Sequence, residues 1–272
     1  MDPSTYSWIW SAYLNVWYPG FLLGTLLAPT VSDRFGRKKA LMLSNVLSLI
    51  ATTISLSSLP FFYPELLIVG RLVNAIACSL GMCSVILFLQ EVAPTAIRGR
   101  ISTFPAFCLS LMTLLGMICG LRYVIGAKLV ILIGIPIVPN LCALLFLTFC
   151  PETPKFLLIN RQDKIGALKS IAFFQGAEID REKVLEAINA ENEHGADCKK
   201  TSLGEIWRTP YLRKALFIGT VALMLQISTG VQSIVLLSRE LFVRAGLLNF
   251  VAEMGTVAMI ALMAVSTVKL CY

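Results

Sequence analysis

Charged residues along this chain are gathered into short clusters, and long apolar stretches run between them. No Asp, Glu, Lys or Arg occurs from Pro3 to Ser32, Ala40 to Pro64, Leu72 to Gln90, Ile101 to Leu121, Leu129 to Pro151, or Ala215 to Ser238. Each stretch reaches the roughly 18 to 20 residues that cross a hydrocarbon core about 30 Å thick at about 1.5 Å per helical residue. The pattern predicts seven spans, at 8–31, 40–59, 66–90, 101–121, 128–149, 214–237 and 247–268. The last is the weakest, because Arg244 and Glu253 flank or enter it and only Met254 to Val268 is free of charge.

The one long polar insert, 151–213, divides the spans into five and two. It reads as a small helical module: Ile165, Leu168, Ile171 and Ala172 recur at helical spacing, as do Val184, Leu185 and Ile188. Ser202-Leu203-Gly204-Glu205 fits a capping box, in which hydroxyl and glutamate satisfy each other's end of the first turn. Three short amphipathic helices are expected, with a flexible loop from Glu191 to Lys200. The predicted organisation is a five-span bundle over 1–150, the insert over 151–213 and a two-span segment over 214–272.

Composition removes the soluble alternative. Of the 272 residues, 57% are apolar and 14% charged, against roughly a quarter charged in an ordinary globular chain. The net charge of +7 would suit nucleic acid only with a soluble basic face to carry it, so no nucleic-acid partner is expected and the lipid bilayer is. Of the eight cysteines, Cys78, Cys83, Cys108, Cys119 and Cys142 fall in apolar stretches, none forms a C-x-x-C pair, and His194 is the lone histidine. No metal or cofactor is implied. No nucleophile–base constellation supports an enzyme. The start, Met1 to Ser7, lacks the basic region of a cleavable signal peptide.

Basic residues set the orientation. One side of the predicted membrane receives 18 of the 23, including Arg34, Arg37, Lys38, Lys39, Arg98, Arg100 and the 11 from Lys155 to Lys214. The other receives five: Arg71, Arg122, Lys128, Arg239 and Arg244. The insert and the C-terminus are therefore expected in the cytoplasm, the N-terminus outside. Acidic residues within 151–213 number 10, which argues against a plain lipid-binding polybasic tract.

Small residues recur at a spacing of four in the first span (Gly20, Gly24, Ala28) and the fourth (Gly116, Gly120), as helix contacts in lipid favour. Chance glycines would look the same. Arg71 stands one turn inside the third span, where an ionised group either snorkels outward or faces a polar bundle interior. Three loops on the predicted cytoplasmic side each carry an acid with a base close behind it. They read Ser32-Asp33-Arg34-Phe35-Gly36-Arg37-Lys38-Lys39, Glu91-Val92-Ala93-Pro94-Thr95-Ala96-Ile97-Arg98-Gly99-Arg100, and Pro151-Glu152-Thr153-Pro154-Lys155-Phe156-Leu157. Ion pairs that form and break there would make a latch.

These loops, with the Gly70-Arg71 that opens a span, resemble the sugar-porter branch of the major facilitator superfamily, and the facilitative hexose transporters in particular. The likeness runs from about residue 8 to 270 with the motifs in family order. It implies an all-α polytopic membrane protein with a partial major-facilitator fold, whose first span corresponds to the family's second helix and its last to the eighth. It further implies transport of a hexose or related small polar solute by alternating access, in the plasma membrane, and association with other transporter segments. By resemblance, Asp33, Arg34, Gly36, Arg37, Glu91, Arg98 and Glu152 form the cytoplasmic gate network, and Arg71 is the span-opening arginine. The chain departs from the pattern at Pro29, where the loop motif has glycine, and at Ala106, where the family has glutamine. On the seventh family helix it reads Gln226-Ile227-Ser228-Thr229-Gly230-Val231-Gln232, with an amide lost at Ile227. Gln226 and Gln232 are the candidate solute contacts; each would serve equally as a bridge between helices.

Two other readings share this architecture. A seven-span receptor would show D-R-Y after the third span and N-P-x-x-Y in the seventh, where this chain has Gln90-Glu91-Val92 and no proline from Val265 to Leu270. A non-transporting, partner-binding relative would differ in never pairing with a complementary half.

Overall fold

A computed structural model describes residues 3–61, 63–94, 97–176, 181–196, 209–229 and 231–271. Every regular element among them is helical. In chain order these are α1 (Pro3–Asn15), α2 (Trp17–Phe35), α3 (Arg37–Phe61), α4 (Pro64–Val92), α5 (Arg98–Gly120), a π-turn (Arg122–Gly126), α6 (Leu129–Gly134) and α7 (Ile137–Phe149). They continue with α8 (Pro154–Ile159), α9 (Lys164–Gln175), α10 (Arg181–Ala196), α11 (Pro210–Ser228), α12 (Val231–Arg244) and α13 (Asn249–Cys271).

Among the described residues, five stretches are long and apolar enough to cross a membrane: Arg37–Pro60, Pro64–Val92, Arg98–Gly120, Leu129–Phe149 and Asn249–Ser266. The expected spans at 8–31 and 214–237 do not form single helices. The first is interrupted at Val16, because Pro19 has no N–H to give to the carbonyl of Asn15. In the other, one helix ends at Ser228, before the turn at Thr229, and the next is described from Val231.

The chain divides into two compact units, Met1–Cys108 with Cys119–Arg181, and Leu109–Ile118 with Glu182–Leu270. In the first, α2 and α3 both pack along α4. Many of the buried positions are small or hydroxylated, among them Ala28, Ala51, Ala75, Ser32, Ser79 and Ser84, while Leu22, Leu26, Phe104 and Phe146 are exposed. That inversion of a soluble core is what a lipid environment selects: large apolar groups stay outside, and small residues let backbones approach. The α2 face is Gly20, Gly24, Ala28 and Ser32, as the spacing of four predicts. A Cβ on Gly24 would stand 2.6 Å from the carbonyl oxygen of Ile76 and 2.9 Å from Ser79 Cβ. Beside it the hydroxyls of Thr25 and Ser79 share a hydrogen bond of 2.7 Å. The same expectation fails on α5, which buries no residue and whose Gly116 and Gly120 have nothing within 4 Å of an added Cβ.

In the second unit, Ser238 on α12 donates to Thr256 on α13 at 3.2 Å, both buried. Glu253 accepts from Arg239 at 3.3 Å rather than serving the first turn of its own helix. The expected loop from Glu191 is helical as far as Ala196, because Glu, Asn, Ala and His continue the α10 run without a breaker before Gly195. The expected capping box at Ser202–Glu205 lies outside the described residues.

Candidate functional site

The charged loops meet at one end of the first unit, and the geometry begins with a glycine. Gly36 separates α2 from α3 at φ 101° and ψ 158°, a combination open essentially to glycine alone. Its N–H donates to the carbonyl of Ser32 at 3.1 Å, which closes α2 and lets the chain reverse within one residue. A side chain would be excluded here in any case: a Cβ would strike the Glu152 carboxylate and lie 2.9 Å from the Phe156 ring.

The reversal delivers Arg37 into the cluster. Its Nε donates to Glu91 Oε1 on α4 at 2.9 Å, its Nη2 lies 3.3 Å from Asp33 Oδ1, and its Nη1 reaches the carbonyl of Ser32 at 3.4 Å. The guanidinium sits 5.5 Å over the Phe156 ring. Arg37 and Glu91 are 13% and 10% exposed at their side chains, whereas Asp33 is 67% exposed, so the inner pair carries most of the attraction. The second Glu91 oxygen accepts from the hydroxyl of fully buried Thr153 at 2.7 Å. With both its oxygens occupied, this buried carboxylate is well satisfied.

Glu152 does a different job. Its Oε1 accepts from the backbone N–H of Lys38 at 2.8 Å and of Thr153 at 3.1 Å. Lys38 lies in the first turn of α3 and Thr153 is the N-cap of α8, so one carboxylate caps two helix starts. Further bonds fasten the insert to this end: Asn160 Nδ2 to the carbonyl of Asp33 at 3.0 Å, Ser170 Oγ to that of Glu152 at 2.6 Å, and Gln175 Nε2 to that of Val92 at 3.2 Å. Phe174 meets Phe88 edge to face at 5.7 Å, beside the buried cluster of Leu41, Phe88 and Leu147.

Of the seven residues expected in this network, Asp33, Gly36, Arg37, Glu91 and Glu152 converge. Arg34 is exposed, with its guanidinium 5.8 Å over Phe35, because the last turn of α2 points it away from Arg37 and Glu91. Arg98 is half-buried at the first position of α5. Thr153, Phe156 and Asn160 were not anticipated as members. Pro154 directly after Thr153 was the available signal, since proline at the first helical position marks a helix start and its predecessor as the cap. Arg71 faces inward, its Nη1 donating to the Tyr13 hydroxyl at 3.1 Å. Gln226 and Gln232 belong to α11 and α12; their side chains lie outside the described residues.

Known proteins are similar to this chain in sequence and in architecture. Residues 3–271 match the family model described as "Sugar (and other) transporter". Chicken solute carrier family 2, facilitated glucose transporter member 1, is 28% identical over 248 residues, covering 90% of this chain and 50% of that protein. Rat facilitated glucose transporter member 2 is 30% identical over 243 residues, covering 88% and 46%. The chain thus spans about half the length of the curated relatives it matches. Among solved structures, the proton:xylose symporter XylE bound to 6-bromo-6-deoxy-D-glucose superposes with a TM-score of 0.84 at 20% identity, over 100% of this chain and 60% of that one. A partially occluded inward-open form of XylE from E. coli gives 0.70 at 18% identity, over 100% and 78%. Apolar helices that expose their large side chains, a major-facilitator architecture and a family match along nearly the whole length lead to one assignment: the chain is an integral membrane protein and belongs to the sugar (and other) transporter family.

Proposed function

We propose that this chain contributes to moving a hexose or a related small polar solute across a membrane by alternating access. The observation that carries the reading is the double fastening of the Gly36–Arg37 reversal, to α4 through Glu91 and to the turn after α7 through Glu152. A cluster of charge-assisted bonds, grouped at one end of a helix bundle and dependent on a few side chains, can hold one arrangement and release it when they part. We assign the role of gate to Asp33, Gly36, Arg37, Glu91 and Glu152, with Arg34 and Arg98 at its margin. The basic asymmetry puts this end in the cytoplasm and the plasma membrane is the expected location.

Gln226 and Gln232 are the proposed solute contacts. They flank the interruption between α11 and α12, and interrupted helices near the membrane midplane are where transporters expose backbone groups to cargo. The relatives whose names specify facilitated glucose transport support the substrate class. Alternating access needs two bundles that close on a shared site, and this polypeptide spans about half of those relatives. The 272 residues by themselves are therefore expected to show no saturable uptake, and to work together with further transporter segments. The test is uptake of labelled D-glucose against L-glucose in liposomes, with the chain alone and with complementary sugar-porter helices co-expressed. Equal slow leak of both isomers alone, with D-selective uptake on complementation, is the expected result. Saturable D-selective uptake by the chain alone would overturn the dependence on further segments. Absence of uptake under both conditions would favour the non-transporting, partner-binding reading.

A further inference from the structure

Two contacts with α4, one toward each of its ends, set a depth scale along the first unit. Gly20 of α2 lies against Leu72 and Ala75, and Gly24 against Ile76 and Ser79, so α2 and α4 run parallel and in step. At one end Arg37 bonds Glu91 at 2.9 Å. Toward the other, Arg71 donates to the Tyr13 hydroxyl at 3.1 Å, and its guanidinium carbon lies 4.4 Å from the centre of the Tyr13 ring and 5.6 Å from that of Trp17. From Arg71 to Glu91, α4 is continuous helix, and no charged residue stands between them. That stretch rises about 30 Å at about 1.5 Å per residue, the thickness of a hydrocarbon core.

The chemistry changes at the level of Arg71. Between the two levels α2 exposes Leu22, Leu23, Leu26 and Leu27. Beyond the Arg71 level lies α1, which sets Tyr6, Trp8 and Trp10 among serines and threonine and carries no charge. Trp10 stacks on Tyr13 at 5.8 Å, which extends the aromatic cluster outward from Arg71. The helical path holds through Val16, whose N–H donates to the carbonyl of Ala12 at 2.9 Å and whose carbonyl accepts from Gly20 at 3.3 Å, so α1 carries on outward from α2. Tyrosine and tryptophan join an apolar ring to a polar tip and collect where hydrocarbon meets headgroups. At that level an ionised arginine also costs far less than at mid-bilayer.

We infer that α1 is an interfacial anchor: Tyr6, Trp8 and Trp10 occupy the headgroup and glycerol level of one leaflet, and the hydrocarbon core begins at the level of Tyr13, Trp17 and Arg71. The partner is the phospholipid leaflet itself, met by an outward continuation of the leucine-bearing surface of α2. Because α1 has no lysine or arginine, the anchor works through ring burial and the hydrogen bonds of the ring tips, and zwitterionic lipid suffices. The placement moves the start of this span from the expected residue 8 into the Tyr13–Trp17 segment. It depends neither on the solute nor on the gate proposed above.

Depth-dependent quenching of tryptophan emission tests the assignment, with the whole chain reconstituted in phosphatidylcholine brominated either near the glycerol end of its acyl chains or near their methyl end. The chain has four tryptophans. Trp8→Phe, Trp17→Phe and Trp207→Phe together leave Trp10 alone, and the shallow bromines should remove roughly twice as much of its emission as the deep ones. Leu26→Trp, in a chain with all four tryptophans replaced by phenylalanine, should show the reverse order, because that position lies midway between the two levels. A chain that keeps Trp8 alone should behave as the Trp10 chain does, and decides the question should the Trp10 chain not fold. Stronger quenching by the deep bromines overturns the proposal by placing α1 within the hydrocarbon core. Quenching that is absent or equal in the two lipids overturns it as well, since α1 would then be covered by protein or stand in water.

Discussion

Arg37 has two carboxylates within reach, Glu91 Oε1 at 2.9 Å and Asp33 Oδ1 at 3.3 Å, and their surroundings differ far more than their distances. Glu91 is 10% exposed and also holds the Thr153 hydroxyl; Asp33 is 67% exposed, on the last turn of α2 across Gly36 from its partner. Water screens the second pair and barely reaches the first. Glu91→Gln leaves a half-buried guanidinium short of its main counter-charge and should cost roughly 2 to 3 kcal/mol, below the 3 to 5 typical of fully buried pairs. Asp33→Asn should cost about 0 to 1 kcal/mol. Urea or thermal unfolding of both variants in the same detergent measures the contrast, and equal losses would mean that burial does not separate the two pairs.

Between elements, the contact of α2 with α4 rests on missing side chains. Gly24 lets the two backbones approach until an added Cβ would lie 2.6 Å from the Ile76 carbonyl oxygen, and that oxygen belongs to a helix that cannot yield by rotating a side chain. Gly24→Val should therefore force the helices apart and destabilise the chain by roughly 1 to 3 kcal/mol, the usual penalty of overpacking. Gly116→Ala on α5 meets open space and should be neutral or slightly stabilising, since alanine is the better helix former by about 1 kcal/mol. Unfolding midpoints of the two variants decide it. A neutral Gly24→Val would show that the approach of α2 to α4 is not what these glycines serve.

For the molecule as a whole, the uneven division of basic residues, 18 against five, is the quantity from which an orientation is expected. The insert is accordingly expected in the cytoplasm. Gly195→Cys in a background without the other cysteines should resist an impermeant maleimide in intact cells and react after permeabilisation. Labelling of intact cells would reverse the orientation. The gate assignment would then pass to the outer face, because Asn160, Ser170 and Gln175 tie the insert to the same end as Arg37.

The amino-acid order alone determined that this is a helical membrane protein, where most spans lie, and that the charged loops matter together. Those features follow from local properties: runs free of charge, a small residue every fourth position, acids followed by bases. The interruption at Val16 was equally local, written in Pro19, but apolarity on both sides of it concealed the break. Tertiary structure alone decided which acid is the strong partner of Arg37, that Glu152 caps α3 across 114 residues of sequence, and that Arg34 stays outside. It also decided that the glycines of α2 meet a neighbour while those of α5 do not, although their spacing is the same. Spacing along a helix fixes which residues share a face; what that face touches depends on segments distant in sequence. The same holds for Arg71, whose aromatic partners, Tyr13 on α1 and Trp17 on α2, meet it only when those helices lie against α4.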